Sequence, residues 1–122
     1  MFRGRIALGQ IGEDLACREL ERRGYAILAR RYRARGGELD VVARDGATIV
    51  FVEVKARQGR AFGHAAESVG FVKRRRIAQL AQAFILRHGL TGHPCRFDVV
   101  AIHLEDGRPQ IEVFQNAFGV CS

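Results

Sequence analysis

A glutamate and a lysine interrupt an otherwise apolar run at Phe51-Val52-Glu53-Val54-Lys55. Val and Phe favour a pleated, half-buried surface, where a charge is costly unless it is paired or holds a metal. Thirteen residues before Glu53, Asp40 ends the segment Gly37-Glu38-Leu39-Asp40. Two carboxylates and an ammonium meeting at one place would form a divalent-cation site suited to phosphodiester hydrolysis. Carboxylates held close together repel, and one tends to take a proton unless a cation intervenes. Oxygen-only ligands suit Mg2+ or Mn2+. Mg2+ typically takes one or two carboxylates, keeps several waters and lets a substrate phosphate complete its shell. Such an ion acidifies a bound water and neutralises charge in the transition state. Asp40 and Glu53 are therefore candidate metal ligands, and Lys55 a candidate to orient the attacking water or stabilise developing charge. The plainer alternatives are a partly exposed Glu53–Lys55 pair on an edge strand and an Asp40 on a solvated strand face.

Convergence of these groups requires particular elements. Successive side chains on a strand point to opposite faces, so Ile49, Phe51, Glu53 and Lys55 share one face, and Val50, Val52 and Val54 the other. Both faces begin apolar, which predicts an interior strand over 48–56. The preceding strand, 38–44, joins it through Asp45-Gly46-Ala47, a hairpin signal. A two-residue turn at Asp45-Gly46 sets Asp40 diagonal to Glu53 on the same face. A four-residue loop over 45–48 sets them directly opposite. A three-residue loop without a bulge separates them, because a one-residue slip reverses every side chain.

Around this hairpin the pattern predicts a helix over 7–23, with Leu8, Ile11, Leu15 and Leu20 as its apolar stripe and Gly24 as its stop. A strand over 25–33 follows. After the hairpin comes a loop over 57–66. A second helix over 68–88 carries Ile77, Leu80, Ala81, Phe84 and Ile85 at helical spacing. Strands over 95–104 and 110–118 complete the order αβββαββ. The expected class is α/β: a mixed sheet flanked by helices, in one domain over 1–122.

Composition narrows the partners. The formal net charge is +7, which favours a polyanion, nucleic acid before an anionic membrane surface. Eighteen of the twenty basic residues are Arg, a bias that a G- and C-rich coding sequence also produces. Arg57 and Arg60, in the loop after the motif, are candidate phosphate contacts, together with Lys73 and Arg74 of the basic run Lys73-Arg74-Arg75-Arg76. Consecutive helical residues spread around the axis, so part of that run is solvated. Tyr25, Tyr32, Phe62 and Phe71 read as packing residues. The four histidines show no ligand spacing. Cys17, Cys95 and Cys121 form no zinc or redox motif. Cys17 and Cys95 read as small buried residues and Cys121 as a thiol near the chain end, which fits a reducing cytoplasm. No apolar stretch is long enough for a membrane span, and the first residues do not read as a signal peptide.

Taken with Gly12-Glu13 and Ala16 on the first helix and Arg96-Phe97-Asp98-Val99-Val100 on a later strand, these segments resemble the PD-(D/E)XK nuclease superfamily. The closer resemblance is to the YraN family of predicted bacterial endonucleases, which is similar to archaeal Holliday junction resolvases. It covers nearly the whole chain. Leu39 stands where the superfamily's name has proline. The resemblance implies a restriction-endonuclease-like αβββαβ core, Asp40 and Glu53 as ligands of Mg2+ or Mn2+, and Lys55 as the catalytic lysine. It also implies that Glu13 points into the same site as a catalytic residue. The implied activity is metal-dependent endonucleolytic hydrolysis of DNA, with branched or recombination and repair intermediates as substrates. Cleaving a four-way junction needs two active sites, so a homodimer is expected by analogy. The alternatives are a nuclease fold that binds nucleic acid without cutting it, and a protein-interaction subunit. Glu38 reads as solvated or structural. Asp98 either supports the site or caps a buried backbone group.

Overall fold

A strand apolar on both faces must be covered on both sides, and the 48–58 segment is the middle strand of its sheet. The structure, a computed structural model, describes residues 4–58, 70–105 and 108–118. Its elements are α1 (Gly4–Arg22), β1 (Ala26–Ala34), β2 (Gly37–Asp45), β3 (Thr48–Gln58), α2 (Phe71–Arg87), β4 (Cys95–Glu105) and β5 (Arg108–Phe118). The strands lie in the order β1-β2-β3-β4-β5. β3 and β4 run parallel, and the other neighbours are antiparallel. A parallel pair needs a crossover connection, and α2 lies within it. The expected mixed α/β sheet and its element order are therefore present, consistent with a core of the αβββαβ type extended by β5.

The helices cover opposite faces. Ile77, Leu80, Ala81 and Phe84 of α2 pack with Leu39, Val42, Ile49, Phe51, Phe97, Val99 and Ala101. Phe84 stands edge-on to Phe51 and Tyr32, and Phe51 leans on Phe97. On the other face Ala16, Cys17 and Leu20 of α1 pack with Val41, Ala43, Val50, Val52, Val100 and Ile102.

The buried side of α1 keeps Leu20 of the expected stripe and packs Leu15 against the core, but is otherwise rotated from it; the Leu8 side chain lies outside the described residues. Ile11 is exposed and Leu15 half-buried, while Gly12, Glu13, Ala16, Cys17 and Leu20 are buried. The cause is close approach. A Cβ on Gly12 would lie 2.7 Å from Ala56 Cβ on β3, so small residues let the helix settle onto the strand that carries Glu53 and Lys55. The aromatic expectations divide. Tyr25 is buried and Tyr32 packs against the α2-side core, but Phe71 is 65% exposed with the Arg75 guanidinium over its ring. Phe62 lies outside the described residues. Cys17 is free and buried, whereas Cys95 is disulfide-bonded, which corrects its reading as a simple buried thiol. Cys121 lies outside the described residues. No helix among the described residues is long and apolar enough to cross a membrane.

Gly12→Ala gains helix propensity worth about 1 kcal/mol but drives a methyl into a neighbour fixed by the backbone. Overpacking of this kind costs about 1–3 kcal/mol. The expected outcome is a net loss of stability of up to about 2 kcal/mol, measured by urea unfolding at unchanged m-value.

Candidate functional site

The hairpin register follows from its turn. β2 and β3 pair from Asp45↔Thr48 through Ala43↔Val50 to Val41↔Val52, the ladder in which Asp40 comes next opposite Glu53. Pairing with β2 stops there, while β3 stays paired with β4 as far as Gln58↔Leu104. The carboxyl half of β3 thus borders a notch. With the ladder ended, the Val54 N–H donates to Asp40 Oδ2 at 2.9 Å.

Simple alternation does not describe β2 at this point. Leu39 and Val42 both belong to the α2-side core, whereas residues three apart on a regular strand face opposite ways. Alternation breaks between them, at Asp40–Val41. β1 breaks at the same level: Ala29 and Tyr32 both pack on the α2-side core. Between them Arg31 has φ 51°. Arg31 falls between the pairs Arg30↔Val41 and Tyr32↔Leu39, across from Asp40. The meeting of Asp40 and Glu53 therefore rests on an even register combined with a local irregularity, not on an unbroken pleat.

A cleft of about 780 Å³ is lined by Glu13, Arg31, Glu38, Asp40, Glu53, Lys55, Arg57 and Lys73, among others. Four candidates, Glu13, Asp40, Glu53 and Lys55, share it. Glu53 is buried. Lys55 Nζ lies 3.8 Å from Glu53 Oε2, and Lys73 Nζ, reaching in from α2, donates to the same oxygen. Lys73, expected among the phosphate contacts, is thus engaged inside the cleft. Glu13 is buried, and its Oε1 accepts from Arg30 Nη2 and Arg31 Nε, each at 3.0 Å. Gly12 and Ala16 make this possible by bringing α1 close to the sheet. Arg57 lines the cleft and is exposed. Arg74 is half-buried and does not line it; its Nε is buried without a hydrogen-bond partner among the described residues. Arg60 lies outside the described residues. Glu38 lines the cleft but is exposed, with Arg33 Nε 2.9 Å from its Oε2.

Charges in the cleft act on one another. Burial, then the negative charge of Glu53, raises the Asp40 carboxyl to about 7. Burial, then the neighbouring Lys73 charge, makes the Lys55 ammonium easier to deprotonate. For Lys73 burial works in that same direction, but the hydrogen bond and charge of Glu53 prevail, and its proton is held more tightly. A carboxylate that resists ionisation beside another carboxylate is the electrostatic setting that a cation relieves. Among the described residues no set of three His, Cys, Asp or Glu side chains could hold a metal alone. Asp40 and Glu53 are the two carboxylates that could supply oxygen donors, a number that fits an ion keeping water and substrate oxygens in its shell.

Asp98 serves another place. It is fully buried and accepts from the Asn116 backbone N–H at 2.9 Å and from Arg96 Nε at 3.0 Å. Arg96 also reaches Tyr25 Oη and Asp45 Oδ2. Asn116 has φ 55°, next to the register shift between β4 and β5. The open choice for Asp98 falls to capping the backbone. The inward turn of Lys73 and the Arg30–Arg31 clamp on Glu13 had no signal in spacing, since each depends on helix rotation or on the left-handed residue in β1.

In the metal-free folded chain Asp40 keeps its proton up to about pH 7, while the unfolded chain releases it near 3.8. The folded state binds more protons between those values, so its stability falls as pH rises through that window. Asp40→Asn carries no charge and can still accept from Val54. In chelator at pH 8 it is expected to melt above wild type by roughly 4–8 °C, or about 1–2 kcal/mol. Thermal scans from pH 5 to 8 in chelator provide the check. Asp98→Ala removes the acceptor of Arg96 Nε and of the Asn116 N–H and is expected to cost about 3–5 kcal/mol, measured by denaturant unfolding.

Comparison with known proteins gives a consistent family. The profile described as Uncharacterised protein family UPF0102 matches residues 12–102. A UPF0102 protein of Symbiobacterium thermophilum is 46% identical over 112 residues, covering 91% of this chain and 95% of the relative. One from Pelotomaculum thermopropionicum is 45% identical over 120 residues, covering 97% of this chain and 100% of the relative. One from Geobacter sulfurreducens is 48% identical over 112 residues, covering 91% and 88%.

Proposed function

The chain belongs to the uncharacterised protein family UPF0102, and from that premise we propose that it is a metal-dependent nuclease hydrolysing phosphodiester bonds of DNA. The observation that carries this reading is the half-buried Asp40, raised to about 7 by burial and Glu53, in one cleft with Glu53 and Lys55. Asp40 and Glu53 would hold Mg2+ or Mn2+. When bound, that ion would supply an acidified water and charge neutralisation at the phosphate. The protein's own groups then have separate tasks. Val54 N–H fixes the Asp40 carboxylate against β3. Lys55, attached to the same strand as Glu53, orients the attacking water or stabilises charge developing on the phosphate oxygens. Burial and the neighbouring Lys73 charge make its ammonium easier to deprotonate. Arg57 and the net charge of +7 draw the polyanionic backbone toward the cleft. Branched recombination or repair intermediates are the preferred substrates in this reading, with a homodimer bringing two clefts to one junction.

The Lys73–Glu53 contact supports a second reading, a nuclease fold that holds nucleic acid without cutting. In that case DNA binding weakens with salt, survives Asp40→Ala and leaves strands intact.

The test is a panel of supercoiled, single-stranded and four-way-junction DNA plus structured RNA, incubated with Mg2+ or Mn2+. Wild type is expected to cleave at least one DNA substrate. Asp40→Ala and Glu53→Ala are each expected to lose about a hundredfold or more in rate. Salt-dependent binding without cleavage by wild type would favour the second reading.

A further inference from the structure

Resting on the reading of the cleft as a nucleic-acid site, we propose that Arg31 is a phosphate-anchoring residue of that cleft and that Glu13 is its positioning partner. The observations are independent of the metal ligands. Arg31 is a non-glycine residue at φ 51° within a strand, a conformation that L side chains rarely adopt and that tends to gather at binding sites. The left-handed residue lies at the level of Asp40, between the pairs Arg30↔Val41 and Tyr32↔Leu39. Its side chain lines the cleft with Asp40, Glu53 and Lys55.

The anchor is asymmetric in a useful way. Glu13 Oε1 accepts from Arg31 Nε at 3.0 Å, and the carboxylate is buried. A bond through Nε fixes the guanidinium plane and leaves the outer nitrogens, a planar fork that matches phosphate oxygens, to a side chain that remains 44% exposed. The neighbouring Arg30 cannot play the same part. Its Nη2 bridges Glu13 and Asp14, and it does not line the cleft. Glu13 thus does its work through Arg31: it aims a cation into the cleft from the β1 side, facing the β3 strand that carries Glu53 and Lys55. The ligand class is a nucleic-acid phosphodiester, gripped beside the bond to be cut.

The test measures binding with cleavage blocked by chelator, using labelled duplex and four-way-junction DNA across roughly 50–200 mM salt. Arg31→Gly accepts the left-handed backbone without strain, so the fold is retained and checked by its melting temperature. Arg22→Gln removes an equal charge from the exposed end of α1, away from the cleft. The expected result is an affinity loss of about tenfold for Arg31→Gly, with the slope of log K against log salt shallower by about 0.9. Arg31→Lys falls between, since it keeps the charge and loses the fork, and Arg22→Gln behaves as wild type. Mn2+ affinity of Arg31→Gly, read by calorimetry without DNA, stays within about twofold, because Arg31 is not one of the two ligands in a site that keeps its waters. An unchanged affinity and slope for Arg31→Gly, or an equal loss for Arg22→Gln, overturns the proposal. Wild type that binds DNA through Arg31 but never cuts it leaves this inference standing and removes the nuclease reading. Wild type that binds no nucleic acid removes both.

Discussion

The structure turns on an electrostatic conflict at the point where β2 parts from β3. Asp40 is partly withdrawn from water beside the buried Glu53, and burial together with the Glu53 charge opposes its ionisation. In the chain alone the conflict is eased in two ways: Asp40 shifts to about 7, and Lys73 lends its ammonium to Glu53. Neither is a full remedy. Protonating Asp40 discards a charge, and the Lys73 ammonium bonds Glu53 rather than Asp40. A divalent cation would remove the repulsion without either concession.

The rest of the fold brings that conflict about. Two hydrophobic cores clamp the sheet from opposite faces, so β3 has no freedom to tilt Glu53 outward. Parallel pairing with β4 continues past Lys55 and keeps the strand straight after β2 has left. Gly12 and Ala16 bring α1 close enough for Glu13 to add its charge to the cleft, and Glu13 in turn is balanced by Arg30 and Arg31. On β4, next to β3, the Arg96–Asp98 network closes the irregular pairing of β4 with β5. It is a second buried charge cluster, and its partners are all internal.

Much of this was legible in sequence because it depends on local rules. The valines flanking Glu53 required an interior strand, and the turn at Asp45-Gly46 limited the register to a few cases, one of which is present. The helical spacing of Ile77, Leu80, Ala81 and Phe84 identified the buried face of α2. What escaped depends on contacts between distant segments. The α1 stripe was read correctly at Leu20 and in part at Leu15 but not at Ile11, because a close helix–strand approach at Gly12 turns the buried face toward Gly12, Glu13, Ala16 and Cys17. The break of alternation at Asp40–Val41 and the left-handed Arg31 arise where two strands bend together, which no single-strand period records. Lys73 lies in a basic run that looks solvated, and only the rotation of α2 turns it toward Glu53. The disulfide at Cys95 is equally silent, since cysteine spacing alone does not reveal pairing.

The central claim is that Asp40 and Glu53 together make a cation site. Mn2+ titration followed by electron paramagnetic resonance, with and without DNA, tests it most directly. The account predicts saturable binding by wild type at millimolar Mn2+ or below, tightened by DNA, and lost in both Asp40→Asn and Glu53→Gln while their folds persist. Binding that is absent from wild type even with DNA, or that survives both substitutions unchanged, would contradict it.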